Sequence, residues 1–143
     1  MKTYSSKDLK IPYNDIIFLR KNNQLSLGID NYISGKIITN KDYSDYRPSN
    51  KGVIAAFHFW FLVSILLFIF TVYLSFSSNW WWFITGIFMM ILVQRSNTKG
   101  NAENFVEEAF MDKDFYTKLL DLGAWIYQTD EEVAKKYLNK NDQ

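Results

Sequence analysis

The sequence predicts an α-helical membrane protein made of a two-helix transmembrane hairpin, a small N-terminal β meander and a helical C-terminal cytoplasmic tail. The first observation is a stretch of 43 residues, 52–94, that contains no Asp, Glu, Lys or Arg. The second is a period-two apolar pattern before this stretch, and the third is an apolar stripe at helical spacing after it. We therefore divide the chain into an N-terminal region, a membrane hairpin and a tail, at residues 1–51, 52–95 and 96–143.

The N-terminal region predicts three short strands joined by turns. Residues 15–20 form an apolar run, and Leu25, Leu27 and Ile29 alternate with polar or small residues, as in a half-buried strand. Residues 32–39 are the third expected strand. Because a meander of this size is marginal alone, we expect it to pack on the tail, on a partner chain or on the membrane surface.

The charge-free stretch predicts two spans. The 24 residues 53–76 extend about 36 Å as a helix at about 1.5 Å per residue, against a hydrocarbon core of about 30 Å. The 14 residues 80–93 reach only about 21 Å, but Gln94 can extend the helix and Arg95 can carry its charge to the headgroups. A re-entrant loop is the alternative, and unpaired backbone groups facing lipid argue against it.

The charges around the hairpin predict its orientation. The connection at residues 75–79 carries no charge, whereas basic residues flank the spans at the other end, at Lys41, Arg47, Lys51, Arg95 and Lys99. Lys and Arg close to span ends are retained in the cytoplasm. We therefore expect a multi-pass protein of the cell (inner) membrane with both termini in the cytoplasm.

Two sets of residues in the hairpin have expected structural roles. An aromatic belt at the outer membrane interface is predicted from Tyr73, Trp80, Trp81 and Trp82. Small residues let helices approach closely, and those expected at helix contacts are Gly52, Ala56 and Gly86.

The tail predicts three helices. An apolar stripe marks the first, at Ala102, Phe105, Val106, Ala109 and Phe110. Asp114 is the expected cap of a second helix over residues 115–122, which Gly123 closes. Thr129 and Glu132 have capping-box spacing for a third helix.

The two flanks of the hairpin carry opposite charge. Residues 1–51 hold nine Lys and Arg against five Asp, and residues 101–143 hold five Lys against ten Asp and Glu. Opposite charges on the same side of a membrane favour attraction between the flanks, and two independent solvated surfaces are the alternative.

One histidine lies inside the predicted first span. Ionisable groups within a membrane are functional candidates, and His58 could titrate near neutral pH. A weakly polar stripe at helical spacing follows it, formed by Ser64, Thr71 and Ser75. In a homo-oligomer these side chains would line a pore. The simpler interpretation is a neutral imidazole bonded to a backbone carbonyl, with the stripe packed between the two spans.

Composition and motifs argue against several classes of function. Without cysteine the chain forms no disulfide and uses no thiolate as a ligand or nucleophile. A net charge of +1 without a basic cluster argues against nucleic-acid binding. No phosphate loop, hydrolase triad or zinc motif occurs, so we expect no cofactor and no metal.

We therefore expect a non-enzymatic accessory, regulatory or scaffold subunit. Its expected partners are membrane lipids and either another membrane protein or copies of itself. The alternative is a small homo-oligomeric channel or pore with His58 on its axis. A third hypothesis is a lipid-modifying enzyme that uses His58 or a juxtamembrane carboxylate as its acid or base.

Overall fold

The computed structural model describes residues 1–141 of the chain. It is mostly helical, at 72%, with a small antiparallel sheet. In chain order the elements are β1 (Lys2–Ser5), α1 (Tyr13–Lys21), β2 (Leu25–Ile29), α2 (Asn31–Thr39), a 3-10 helix (Lys41–Tyr46), α3 (Lys51–Ser77), α4 (Trp81–Met111), α5 (Lys113–Asp121), β3 (Trp125–Thr129) and α6 (Glu131–Asn141). They form two compact units. The α/β unit combines Met1–Pro48 with the chain from Ala102 onward, and the helix-pair unit is Ser49–Asn101.

The α/β unit contains one antiparallel sheet built from both flanks of the helix-pair unit. β3 lies in the middle, between β1 and β2. Tyr127 of β3 is opposite Tyr4 on one side and Leu27 on the other. The two flanks are therefore folded together, and the Lys2 ammonium adds an ion pair between them, 2.8 Å from the Glu131 carboxylate.

The predicted N-terminal β meander is wrong. Its middle strand exists as β2, but residues 15–20 lie in α1 and residues 32–39 lie in α2. In α1 the buried side chains are Ile16 and Leu19, three residues apart, which is a helical spacing and not an alternating one. The run was too short to separate the two periods. β2 pairs instead with β3, which lies in the C-terminal part of the chain.

Asp30 explains why the next segment is helical. It lies between the second and third strands expected from the sequence, but its carboxylate accepts hydrogen bonds from the backbone N–H groups of Tyr32 and Ile33 at 2.8 and 3.1 Å. This is an N-cap, which satisfies donors that the first turn of a helix leaves free. In α2 the buried apolar residues are Ile37 and Ile38, and they form the inner face of the helix.

The tail is helical as predicted, but it also contains the central strand of the sheet, which the sequence analysis missed. Asp112, and not Asp114, caps α5 through two backbone N–H groups at 2.8 and 3.1 Å. Gly123 follows α5 with φ +70°, the left-handed conformation typical after a helix end. The predicted capping box is wrong, because Thr129 ends β3 and its hydroxyl donates to the Gln24 carbonyl at 2.7 Å.

The α/β unit contains a structural repeat with an offset of 100 residues. Its first half is α1–β2–α2 and its second half is α5–β3–α6, and each element of the second half begins 100 residues after its counterpart. A residue with positive φ precedes each strand, Asn23 at +54° and Gly123 at +70°. The strand register is symmetric about the pair Leu27 and Tyr127. A pseudo-twofold axis therefore passes between β2 and β3 and relates the two halves.

The core of the α/β unit lies on one face of the sheet. Residues of β2 and β3 alternate between buried and more exposed positions, so Ser26 and Gln128 on the other face are exposed. Large side chains that are fully buried include Trp125, Tyr127 and Phe105. Full burial of one such side chain is worth about 1.5–3 kcal/mol, which is the principal stabilisation of this small unit.

The helix-pair unit contains α3 and most of α4. Among the described residues, α3 is the one helix long and apolar enough to cross a membrane. The side chain of Asn50 caps it by accepting a hydrogen bond from the Gly52 N–H at 2.9 Å. α4 does not meet the same criterion of length and apolarity, since the polar run of residues 94–99 follows its apolar first half.

Candidate functional sites

α3 and α4 pack as an antiparallel pair within the helix-pair unit. The Gln94 amide donates to the Ser64 hydroxyl at 3.2 Å. The Asn97 amide donates to the Phe57 carbonyl at 3.0 Å. The contacted residue number falls along α3 as it rises along α4, so the helices run in opposite directions and are joined by polar contacts.

The two helices approach each other closely at Gly86. A Cβ atom built on this glycine would lie 1.8 Å from the Oγ1 atom and 2.7 Å from the Cβ atom of Thr71. The rings of Phe68 and Phe83 meet nearby with centroids 6.0 Å apart. Only glycine fits here, which is the role that small residues have between membrane helices.

The predicted pore residues are not brought together on one open face. Ser64 and Thr71 are buried between the helices, at 0% and 8% exposure. Each hydroxyl donates to the carbonyl three residues earlier on α3, at 2.7 and 2.8 Å. Ser75 donates to the Trp80 carbonyl at 3.4 Å near the hairpin tip. His58 is exposed and lies on a different face of α3 from Ser64 and Thr71.

The remaining predicted residues of the hairpin fall into two groups. Gly52 and Ala56 are exposed, so Gly86 is the small residue at the α3–α4 contact. The predicted belt residues are all exposed close to the hairpin tip, and they are Tyr73, Trp80, Trp81 and Trp82. The first two indoles of this belt stack with centroids 4.3 Å apart.

The outer surface of the helix pair is apolar while its inner contact is polar. Only 6% of the most apolar stretch of α3 is buried. Exposed apolar side chains cover α3 and the first half of α4, among them Trp60, Leu66, Phe70, Phe88 and Leu92. A soluble helix pair shows the reverse distribution, whereas small and polar residues between apolar helices are typical of membrane proteins.

β2 is an edge strand of the sheet, with β3 on one side only. The Asp30 N–H donates to the Ala124 carbonyl across the β2–β3 pair at 3.1 Å. Because the direction of hydrogen bonding alternates along an antiparallel strand, the backbone groups that point away from the sheet belong to Leu25, Leu27 and Ile29. In the part of the chain that the structure describes, no hydrogen bond reaches these outward groups.

A cavity of about 390 Å³ lies beside this edge. Its lining includes Arg20, Val106 and Phe110 as well as the consecutive strand residues 25–27. Consecutive side chains of a strand point to opposite faces, so the cavity follows the strand edge and not a single face. The Arg20 guanidinium lies 3.7 Å above the Phe110 ring, as in a cation–π contact.

Two buried phenols tie the core together. The Tyr116 hydroxyl donates to the Ile11 carbonyl at 2.6 Å and lies 2.8 Å from the Tyr127 hydroxyl. Burial is the main cause that raises the pKa of both phenols, that of Tyr127 to about 12. Both hydroxyls therefore stay protonated at neutral pH and hold β3, α5 and the segment before α1 together.

Asn101 carries a buried amide without a partner. The residue is 3% exposed, and neither its Nδ2 nor its Oδ1 atom has a hydrogen-bond partner among the described residues. Such a group costs about 1–3 kcal/mol. Gln94, Asn97 and Asn101 were not recognised from the sequence as one polar face, although their i, i+3, i+7 spacing marks one helix face.

Neither metal chemistry nor similarity to other proteins indicates a function. Within residues 1–141, no group of three or more His, Cys, Asp or Glu side chains could hold a metal ion. No protein-family model, curated protein or solved structure matches the chain. The function therefore has to be inferred from the geometry of the two units.

Proposed function

We propose that this protein is an integral membrane accessory or scaffold subunit. In this proposal α3 and α4 both cross the bilayer as a hairpin, and the α/β unit is a single cytoplasmic domain that contacts a partner protein. The observation that carries the proposal is the composition of the sheet, which joins strands from both sides of the hairpin in the chain.

The sheet supports an even number of membrane crossings. β1 and β2 precede α3, whereas β3, which pairs with both, follows α4. A hydrogen-bonded sheet cannot be divided by a bilayer, because the hydrocarbon core satisfies no backbone group. Since α3 is long and apolar enough to cross once, the chain needs a second crossing to return, and α4 is the helix that can supply it.

The distribution of side chains supports the same hairpin. The polar and small residues Ser64, Thr71, Gly86 and Gln94 lie between the helices, and the surface outside is apolar. The apolar part of α4 is short, and a short span is accommodated by local thinning of the bilayer and by snorkelling of flanking residues. Arg95 is placed to snorkel at the cytoplasmic end.

Single-cysteine labelling tests the topology, because the chain has no native cysteine. We expect Asn14→Cys and Thr117→Cys, both exposed in the α/β unit, to react with a membrane-impermeant maleimide only after the membrane is permeabilised. Ser78→Cys, at the hairpin tip, should react in intact cells. Labelling of Asn14→Cys and Thr117→Cys from opposite sides would contradict the hairpin, and so would recovery of the protein without membranes.

Native purification tests the accessory role. We expect the chain, extracted in mild detergent, to migrate with a second polypeptide in fixed stoichiometry. A free monomer of 16.9 kDa plus detergent would contradict the proposal. An oligomer that contains only this chain would favour the pore hypothesis instead, although Ser64 and Thr71 are already used in the contact between α3 and α4.

A further inference from the structure

The pseudo-twofold repeat shows how a strand sits on the outer edge of one half. In the second half, β1 covers the outer edge of β3, and the Ser6 N–H donates to the Trp125 carbonyl at 2.9 Å. The Ser6 hydroxyl in turn accepts a hydrogen bond from the Trp125 N–H at 3.0 Å. Ser6 is fully buried in this position. The outer edge of β3 is thus occupied by an extended antiparallel segment of the same chain.

The equivalent place in the first half is open. The offset of 100 residues relates Ser6 to Val106 and Lys10 to Phe110. Val106 and Phe110 line the cavity beside β2. Val106 and Phe110 belong to the helix α4, so this segment does not pair with β2 as β1 pairs with β3. The outward backbone groups of Leu27 are therefore left without the partner that β1 gives to Tyr127.

The charges at the two edges differ. Lys2 of β1 pairs with Glu131 at 2.8 Å, and the repeat counterpart of Glu131 is Asn31, which has no charge. The counterpart of Leu120 is Arg20, whose guanidinium lines the cavity. Compared with the edge of β3, the edge of β2 lacks the acidic residue that pairs with Lys2 and has the additional positive charge of Arg20. This charge favours a binding segment that carries a carboxylate.

We propose that the edge of β2 binds an extended segment of a partner protein, added antiparallel to β2, that carries a carboxylate for Arg20 and an apolar side chain for the cavity. Strand addition of this kind draws its affinity from backbone hydrogen bonds and its specificity from side-chain pockets. This inference rests on the proposed role as a membrane-anchored subunit that contacts another protein, and it identifies the surface and the chemistry of the partner.

A second copy of the chain is the competing occupant. Its β1 strand would bring Lys2 to the side that lacks Glu131, so the ion pair that Lys2 forms beside β3 would not form there. Two β2 edges could also pair directly around a twofold axis, but this would place two Arg20 side chains near one shared edge. Neither β1 nor β2 contains an acidic residue that could pair with Arg20, which favours an acidic segment from another protein.

The probe is a display library of random ten-residue peptides, selected on the full-length protein in nanodiscs. We expect the enriched peptides to share an acidic residue within an alternating apolar pattern. When synthesised and bound, they should slow amide hydrogen exchange at Leu27 and Ile29. Absence of enriched peptides would overturn the proposal, and so would enriched peptides that leave both amides unprotected.

Charge variants provide the matched comparison. Arg20→Glu should weaken binding of the acidic peptides at least tenfold, and Arg20→Gln should weaken it less. Lys21→Glu changes the neighbouring exposed charge of the same helix and should alter binding less than twofold. Equal loss in Arg20→Glu and Lys21→Glu would overturn the role of Arg20. A stable dimer whose Leu27 amide is already protected from hydrogen exchange without peptide would overturn the proposal of a separate partner protein and would favour a second copy of the chain.

These outcomes are separable from those of the cysteine labelling. Peptide binding is measured on the purified chain, so its failure would leave the membrane topology unchanged. Labelling of the two flanks from opposite sides would instead contradict the sheet itself, and the peptide result would then have no structural basis.

Discussion

Replacement of Gly86 by alanine tests the contact between α3 and α4 directly. The new Cβ atom would lie 1.8 Å from the Thr71 Oγ1 atom and 2.7 Å from its Cβ atom. Rotation of the Thr71 side chain moves the oxygen but leaves its Cβ atom in place, so a rotamer change does not relieve the clash. Ordinary contact between carbon atoms is about 3.5 Å or more, and the helices would therefore have to separate by roughly 1 Å.

This separation has a calculable consequence. It would lengthen the 3.2 Å hydrogen bond between Gln94 and Ser64 beyond the range in which such bonds stabilise. Overpacking of a well-packed contact costs about 1–3 kcal/mol. We therefore expect Gly86→Ala to lower the free energy of unfolding by about 1–3 kcal/mol, even though alanine is intrinsically the better helix former.

Gly100 provides the matched control in the same helix. A Cβ atom at this position meets nothing within 4 Å, so Gly100→Ala should raise stability by up to about 1 kcal/mol through helix propensity alone. The assay is unfolding in mixed detergent and SDS micelles, followed by the fluorescence of the tryptophans. Thr71→Gly in the Gly86→Ala background should restore part of the loss. If Gly86→Ala were as stable as Gly100→Ala, the close approach at Gly86 would be refuted.

Three further sets of substitutions test other features of the structure. Burial raises the pKa of Tyr116 and Tyr127 above their unfolded value of 10.0. The contribution of the two protonated phenols to stability is therefore complete below pH 10 and is lost as the pH rises towards about 12. In unfolding experiments over a range of pH, Tyr127→Phe should cost about 1 kcal/mol at pH 8 and should make the loss of stability at alkaline pH smaller. Asn101→Ala removes an unpaired buried amide and should leave the unfolding midpoint unchanged or higher, whereas a loss above about 1 kcal/mol would show that the amide has a bonded partner. Asn23 and Gly123 both have positive φ. In thermal unfolding, Gly123→Ala should lower stability by about 1–2 kcal/mol, whereas Asn23→Gly should leave stability unchanged or raise it. Equal changes in stability for the two variants would contradict the left-handed geometry.

The sequence was informative where a segment is long and strongly patterned. The charge-free stretch folds as two helices joined by a short connection, the stripe from Ala102 to Phe110 is helical, and the alternating residues of β2 form a strand. It was uninformative for short runs, because residues 15–20 and 32–39 satisfy a strand pattern over a few positions and a helical one equally well. In α2 the cap at Asp30 decided between them.

Contacts distant in sequence were beyond prediction. The sequence of β3 does not by itself indicate a strand. Its partners are β1 and β2, more than 90 residues away in the chain. The candidate sites show the same limit. Gly86 was expected at a helix contact, but its partner Thr71 was visible only in the structure. The repeat was equally hidden, because equivalent positions share backbone geometry while most of their side chains differ.

Composition and local spacing were enough to predict that the middle of the chain is apolar, uncharged and helical. The sequence also determined that the flanks have opposite charge. That both flanks form one sheet around a pseudo-twofold axis, with β2 left at an open edge, became visible only in the folded chain. Strand pairing is fixed by backbone hydrogen bonds between distant segments, and those bonds leave no periodic signal in either segment alone.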